Sequence, residues 1–263
     1  MSRSRTKVEG TCHMCGSVGP LSFEHVPPRS AFNDRPIVGF SSDVLLEHGL
    51  DIGPDKGTIA QRGAGAYTLC ARCNNITGSW YGRHFVEWTY QGMHILLRSG
   101  GRPTLVYLNY LFPLAILKQI VTMFFSVNQP EFRLAQPYLV GLVLDRERKY
   151  LPPNIRIFVY YTASSTTRAV GVSAMMNVGS GRMLVSSELS FPPFGYVLTF
   201  DRDAPIDKRL VEITHFARYD YNQFAVMNMQ LPVLETHLPL PGDYRSRADI
   251  KRDAQHNGEA EQR

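Results

Sequence analysis

The sequence predicts an α+β protein, in which a small metal-stapled N-terminal domain precedes an α+β domain with a largely antiparallel sheet. Three observations carry this prediction. The four cysteines, Cys12, Cys15, Cys70 and Cys73, all fall early in the chain as two C-x-x-C pairs. One long apolar stretch, Leu105–Phe125, is interrupted by Asn109, Pro113, Lys118 and Gln119, which suits a buried core helix and not a membrane span. After Pro130 come short runs rich in β-branched and aromatic residues, separated by Pro, Asn, Gly and Ser clusters, which is a strand-and-turn pattern.

In chain order, residues 1–10 form a basic arm carrying Arg3, Arg5 and Lys7, with no apolar segment behind it to make a signal peptide. Residues 11–102 hold every cysteine and are Gly-rich, with few long periodic runs. The Arg98–Pro103 stretch reads as a connector, its two glycines and proline stopping any helix. Residues 103–240 form the second domain. Tyr110–Val127 is predicted to be its helix, with Pro113 in the first turn and Lys118, Gln119, Thr122 and Ser126 as one polar stripe. Strands are predicted at Tyr138–Leu144, Ile155–Thr162, Ala169–Met175, Arg182–Ser187 and Tyr196–Phe200. Residues 241–263 are polar and read as a disordered tail.

With 263 residues, 44% of them hydrophobic, the chain has enough apolar surface for a real core and is neither disordered nor fibrous. Its net charge of +5 fits a polyanion partner without requiring one.

Paired C-x-x-C spacing in a chain without a signal peptide favours a reducing, cytoplasmic setting and a four-thiolate metal site over a disulfide framework. Each pair can turn back on itself so that both sulfurs face one point. Together they give the tetrahedral sulfur shell that suits structural Zn2+, and such a closed site is not catalytic. Between the pairs lies Leu21-Ser-Phe-Glu-His-Val-Pro-Pro-Arg29, in which an imidazole stands beside a carboxylate. His25 can serve as a general base while Glu24 helps to bind a divalent ion. Asn74 and Asn75 follow the second pair directly, at the start of a predicted short helix.

These residues resemble the HNH endonucleases, whose zinc-stapled ββα-metal domain carries C-x-x-C, an acidic-His-aliphatic-x-Pro string, then C-x-x-C followed by His or Asn. Here the pattern reads Cys12-x-x-Cys15, Glu24-His25-Val26-Pro27-Pro28 and Cys70-x-x-Cys73-Asn74, covering about residues 11–90. The resemblance implies metal-dependent hydrolysis of phosphodiester bonds in nucleic acid, DNA in preference to RNA. It implies His25 as general base, Glu24 and Asn74 as ligands of a catalytic Mg2+ or Mn2+, and the four cysteines as holders of a structural zinc. The chain departs from the pattern in having Glu where Asp is usual. It also lacks, in Ala64–Leu69, the middle Asn that braces the loop holding the first histidine.

Other residues are weighed against that frame. Arg29, Arg62, Arg72 and Arg83 are candidate phosphate contacts, and the Arg62–Gly65 loop is a place where phosphate could approach backbone N–H groups. His13 and His84 are lesser candidates. Trp80, Tyr81, Phe85 and Trp88 recur at helical spacing, which is a packing pattern before it is a base-stacking one. Residues 103–240 show no catalytic spacing, so recognition or assembly, including homo-oligomerisation, is the role left to them. A second reading, favoured by the missing Asn, is a catalytically decayed, zinc-stabilised module that binds nucleic acid or acts as a scaffold.

Overall fold

The computed structural model describes residues 7–48, 53–176, 183–201, 207–235 and 242–260. Most of the basic arm, Arg182 of one predicted strand, and Pro241 and residues 261–263 of the tail lie outside the described residues. The protein is a mixed α and β structure whose strand ladders are antiparallel.

The N-terminal part begins with β1 (Glu9–Thr11) and β2 (Val18–His25). A small excursion, β3 (Ile37–Gly39), α1 (Ser42–His48) and β4 (Thr58–Ala60), leads to β5 (Gly65–Cys70). Strand β2 pairs with both β1 and β5, with an irregularity between Ser22 and Phe23. The chain then turns directly into α2 (Ala71–Thr77), a π-helical turn at Gly78–Gly82, and α3 (Arg83–Arg98). The predicted short helix is therefore the first segment of a much longer one.

Helix α3 buries Phe85 and Trp88, and Tyr81 is buried in the turn before it, so the aromatic spacing is indeed a packing pattern. The Trp88 ring stacks on Phe194 at 4.3 Å. Gly92 one turn on is required by close approach, because any side chain there would collide with the Phe194 ring.

Next come β6 (Tyr107–Leu111) and α4 (Pro113–Val127). Tyr110, predicted to be helical, instead pairs with Val226 of β12 (Ala225–Met229). Proline explains the boundary: it disfavours helical backbone at the preceding residue, and Phe112 is at φ −109°, ψ 85°. Helix α4 is buried from Pro113 through Phe125, with Lys118, Gln119 and Thr122 of the polar stripe included. Part of that stripe is hydrogen-bonded inside the protein: Lys118 Nζ donates to the carbonyls of Asp145 and Arg146, both at 2.7 Å, and Thr68 donates to Ser126 at 3.0 Å. Among the described residues no helix is long and apolar enough to cross a membrane.

Helices α5 (Phe132–Ala135) and α6 (Pro137–Leu144) follow. The strand predicted at Tyr138–Leu144 is thus corrected to a helix. Its apolar run has no period that separates a buried helix from a buried strand, whereas Pro137 at the first helical position presets φ for a helix. The other predicted strands form one sheet: β7 (Arg156–Tyr161), β8 (Arg168–Met176), β9 (Met183–Phe191) and β10 (Phe194–Thr199), with β11 (Val211–Glu212) at its edge in the order β11-β7-β10-β9-β8.

One face of this sheet packs on the main core, which is continuous across residue 102. Cys12, Met14, Leu69 and Cys73 belong to the same cluster as Leu114–Leu117 of α4 and Tyr196 and Leu198 of β10. The opposite face is covered by Leu234 and Tyr244 over Phe158, Tyr160 and Val197.

That second contact involves residues of the stretch predicted as a disordered tail. Glu188, fully buried, accepts hydrogen bonds from Arg168 Nη2 at 2.5 Å, the Tyr160 hydroxyl at 2.7 Å and the Gly242 N–H at 3.0 Å. Beyond it, α7 (Arg247–Ala260) starts on a reciprocal cap, with Asp249 N–H donating to Ser246 Oγ and Ser246 N–H to the Asp249 carboxylate. Within this stretch the Gly242 N–H is held by the buried Glu188 carboxylate, and Tyr244 packs on the sheet as an aromatic anchor.

Candidate functional site

The four cysteines converge. Their sulfurs all lie within 4.8 Å of one another, and Cys15 Sγ and Cys70 Sγ are 3.8 Å apart. Sulfurs placed tetrahedrally around zinc at about 2.3 Å would be about 3.8 Å apart, and a disulfide would need about 2 Å. The cluster could therefore hold a zinc ion.

Local structure makes it so. In the first knuckle the Gly16 N–H returns to the Cys12 carbonyl, and Gly16 sits at φ +77°, where a side chain is strained. In the second, Cys70 ends β5 and Cys73 lies in the first turn of α2. Four thiols so close cannot all ionise alone. The contact with Cys73 holds the Cys12 thiol well below the ordinary range, and the same contact drives the Cys73 thiol far above it. A cation resolves that conflict. His13, within the first knuckle, spends its Nδ1 on the Phe125 carbonyl at 3.2 Å and belongs to the scaffold.

The acidic-His string ends β2 at the mouth of a cavity of about 420 Å³, between β2 and the α2–α3 helix, with Gln119 of α4 in its wall. Glu24, His25 and Asn74 all line it, as do Arg29 and Arg83.

Glu24 is only 6% exposed, and among the described residues nothing donates to its carboxylate. Burial pushes its pKa up to about 8. Asn74 turns its Nδ2 toward the strand, donating to Ser22 Oγ at 3.1 Å and to the Phe23 carbonyl at 3.2 Å. Its Oδ1 has no partner among the described residues. Glu24 and Asn74 thus each bring to the wall of one cavity an oxygen-bearing group without a hydrogen-bond donor among the described residues.

His25 Nε2 lies 3.0 Å from the Arg62 carbonyl. A carbonyl can only accept, so Nε2 carries the proton and Nδ1 of the neutral ring is the free base. Burial lowers the imidazole pKa, the Arg62 carbonyl works against that, and the Arg62 and Arg29 charges reinforce it.

The arginines separate. Arg83 lines the cavity and uses Nε on Glu87 at 2.8 Å, which leaves its two terminal amino groups without a hydrogen-bond partner among the described residues. Arg29 is exposed and lines the same cavity. Arg62 lies over the Phe23 ring at 4.2 Å, and Arg72 is exposed on α2; neither lines the cavity. His84 packs at a tilt against the Phe112 ring, 4.2 Å between centroids, also outside it.

The Arg62–Gly65 loop is not open to phosphate. Its Ala64 N–H donates to Asn33 Oδ1 at 2.7 Å, and the Gly63 N–H to the Ala60 carbonyl. Gly63 and Gly65 are there because backbone of Asn33 and Glu24 passes too close for a side chain.

No protein-family model, curated protein or solved structure matches this chain.

Sequence reasoning missed Asn33. It is 1% exposed and donates to the carbonyls of Pro27 and Ala64, both at 2.7 Å, while accepting from Ala64 N–H. It thus ties the segment after His25 to the segment before β5. No spacing rule marks it, because it lies far in sequence from the second knuckle, where the middle Asn was sought. Gln119 was read as part of a helix stripe, and only the packing of α4 brings it to the cavity.

Proposed function

We propose that this chain is an HNH-type endonuclease that hydrolyses phosphodiester bonds in nucleic acid, DNA in preference to RNA, with a zinc-stapled ββα-metal unit as its catalytic part. The observation that carries the reading is the shared cavity of Glu24, His25 and Asn74, the last of which directly follows Cys73 of the four-sulfur cluster. The sequence of β2, β5 and α2, two antiparallel strands and then a helix, is consistent with the same unit.

In this reading His25 Nδ1 takes a proton from the attacking water, and the imidazolium that forms keeps its Nε2–H on the Arg62 carbonyl. Glu24 and Asn74 Oδ1 would hold a divalent cation. When bound, that ion supplies neutralising charge at the phosphate and the departing 3′ oxygen. The terminal amino groups of Arg83 and the Arg29 side chain draw the phosphate to the rim. Attack forms a P–O bond to the water oxygen, breaks the P–O3′ bond and leaves a 5′-phosphate, while the departing 3′ oxygen takes a proton from solvent to become a 3′-hydroxyl. Asn33 supplies a loop brace from another sequence position, which supports the enzyme reading over a decayed module. Residues 103–240 serve recognition or assembly, including self-association, and Gln119 links them to the cavity.

The test is plasmid nicking with Mg2+, Mn2+ or EDTA, comparing wild type with His25→Ala. The variant should stay folded and zinc-loaded while losing at least roughly a hundredfold in rate. Equal rates, or no metal-dependent nicking by wild type, reject the assignment.

A further inference from the structure

Two glycines interrupt the helix that runs from α2 into α3, and neither is explained by backbone or packing. Gly78 and Gly82 have ordinary helical angles, φ −60° and −57°, so no left-handed conformation demands them. Gly is among the poorest residues for a helix interior. At Gly92 the Phe194 ring excludes a side chain, but a Cβ built on Gly78 or Gly82 meets nothing within 4 Å. The space is open, and it is the cavity of Glu24, His25 and Asn74, which both glycines line.

Asn74, Gly78 and Gly82 follow one another at four-residue intervals and so lie along one helix face. At the 1.5 Å per residue of an α-helix, shortened over the π-helical turn, this face runs about 10–12 Å from Asn74 to Gly82. Two side chains that line the cavity carry buried polar groups without a partner among the described residues. One is the Glu24 carboxylate, and the other is Gln119 Oε1, on a side chain 2% exposed. Buried polar atoms in a folded protein are normally satisfied, so unpaired ones on a cavity wall mark where a ligand belongs.

We propose that the Gly78–Gly82 face is a seat for the sugar–phosphate backbone of one polynucleotide strand, the stretch adjoining the bond that is cut. This rests on the nuclease reading and adds to it where the strand lies. The helix N–H groups are already used in the helix, so the seat contributes close approach and not hydrogen bonds. A sugar ring packs on bare helix backbone, one neighbouring phosphate reaches the His25 end, and the next faces the terminal amino groups of Arg83. The strip is long enough for about three nucleotides at the 3.4 Å rise of a stacked strand. DNA and RNA share this chemistry, so both belong in the test.

The experiment uses the full-length, zinc-loaded chain. Gly78→Leu and Gly82→Leu, with Gly78→Ala and Gly82→Ala beside them, are made in wild type and in His25→Ala. Binding of labelled DNA and RNA oligonucleotides is measured in the non-cleaving background, nicking in the active one, and thermal midpoint in both. The Leu variants should weaken binding at least about tenfold and raise KM more than they lower kcat, with thermal midpoints equal to or above the parent. The better-bound oligonucleotide identifies the sugar. Unchanged binding in the Leu variants overturns the seat and leaves the nuclease intact. Lowered thermal midpoints in all four variants make the glycines structural and overturn it as well. If the parent binds neither nucleic acid, the nuclease reading falls and the seat with it.

Discussion

Asn33 and Ala64 are joined by two hydrogen bonds through one side-chain amide: Nδ2 donates to the Ala64 carbonyl and Oδ1 accepts from the Ala64 N–H, each at 2.7 Å. The same Nδ2 reaches the Pro27 carbonyl. A buried amide with both ends occupied behaves as a rigid clamp, fixing the loop after His25 relative to the Arg62 carbonyl that orients the ring.

Asn33→Ala should therefore cost about 2–4 kcal/mol of stability, since it strands buried backbone groups. It should also lower nicking activity by more than partial unfolding explains, because the ring loses its fixed orientation. Urea unfolding and the rate at a temperature where the variant is fully folded separate the two effects. Asn33→Asp should recover part of the loss through the retained acceptor. An Asn33→Ala protein as active as wild type would show that the clamp is structural only.

The sulfur cluster makes a second prediction. Metal binding to a site formed only on folding becomes folding free energy. Here the knuckles share one core with α4, through Cys12, Met14 and the His13–Phe125 contact. Cys70→Ser should bind less than one zinc per chain by elemental analysis, against one in wild type. It should lower the midpoint by about 10 °C or more, in one calorimetric transition for the whole chain. Two separated transitions would mean that the shared core does not couple the two parts.

Glu24 gives a pH prediction. Its carboxyl, at 4.5 when solvated, is pushed up to about 8 by burial. Below 4.5 the folded and unfolded chains are both protonated there, and burial of the group costs nothing extra. From 4.5 to 8 the unfolded chain releases a proton that the folded chain keeps, so stability falls as pH rises, and above 8 the full penalty applies. Without added divalent cation, Glu24→Gln should gain on wild type by about 2–3 kcal/mol between pH 5.5 and pH 8. Saturating Mn2+ should narrow that gap by stabilising wild type. A gap independent of pH would show that Glu24 is not held protonated by its surroundings.

Much of the candidate site was legible in the residues because its signals are local. The C-x-x-C turns, the Glu24-His25-Val26-Pro27 string and Asn74 directly after a knuckle are fixed by spacings of a few residues. So are the strand runs that became β7 to β10 and the proline that starts α4. Ser246 and Asp249 were equally readable as a helix start, and the polar composition around them hid it.

Sequence by itself determined which side chains could bind a metal or move a proton, since chemistry and short-range geometry belong to the residues. Tertiary structure alone decided that Tyr138–Leu144 is a helix, that Arg62 and Arg72 stay away from the cavity, and that Gln119 comes to it. It also decided that Asn33 clamps Ala64. These outcomes depend on strand register and on the way α4 packs, so each is set by contacts between segments far apart in the chain, which no local spacing encodes.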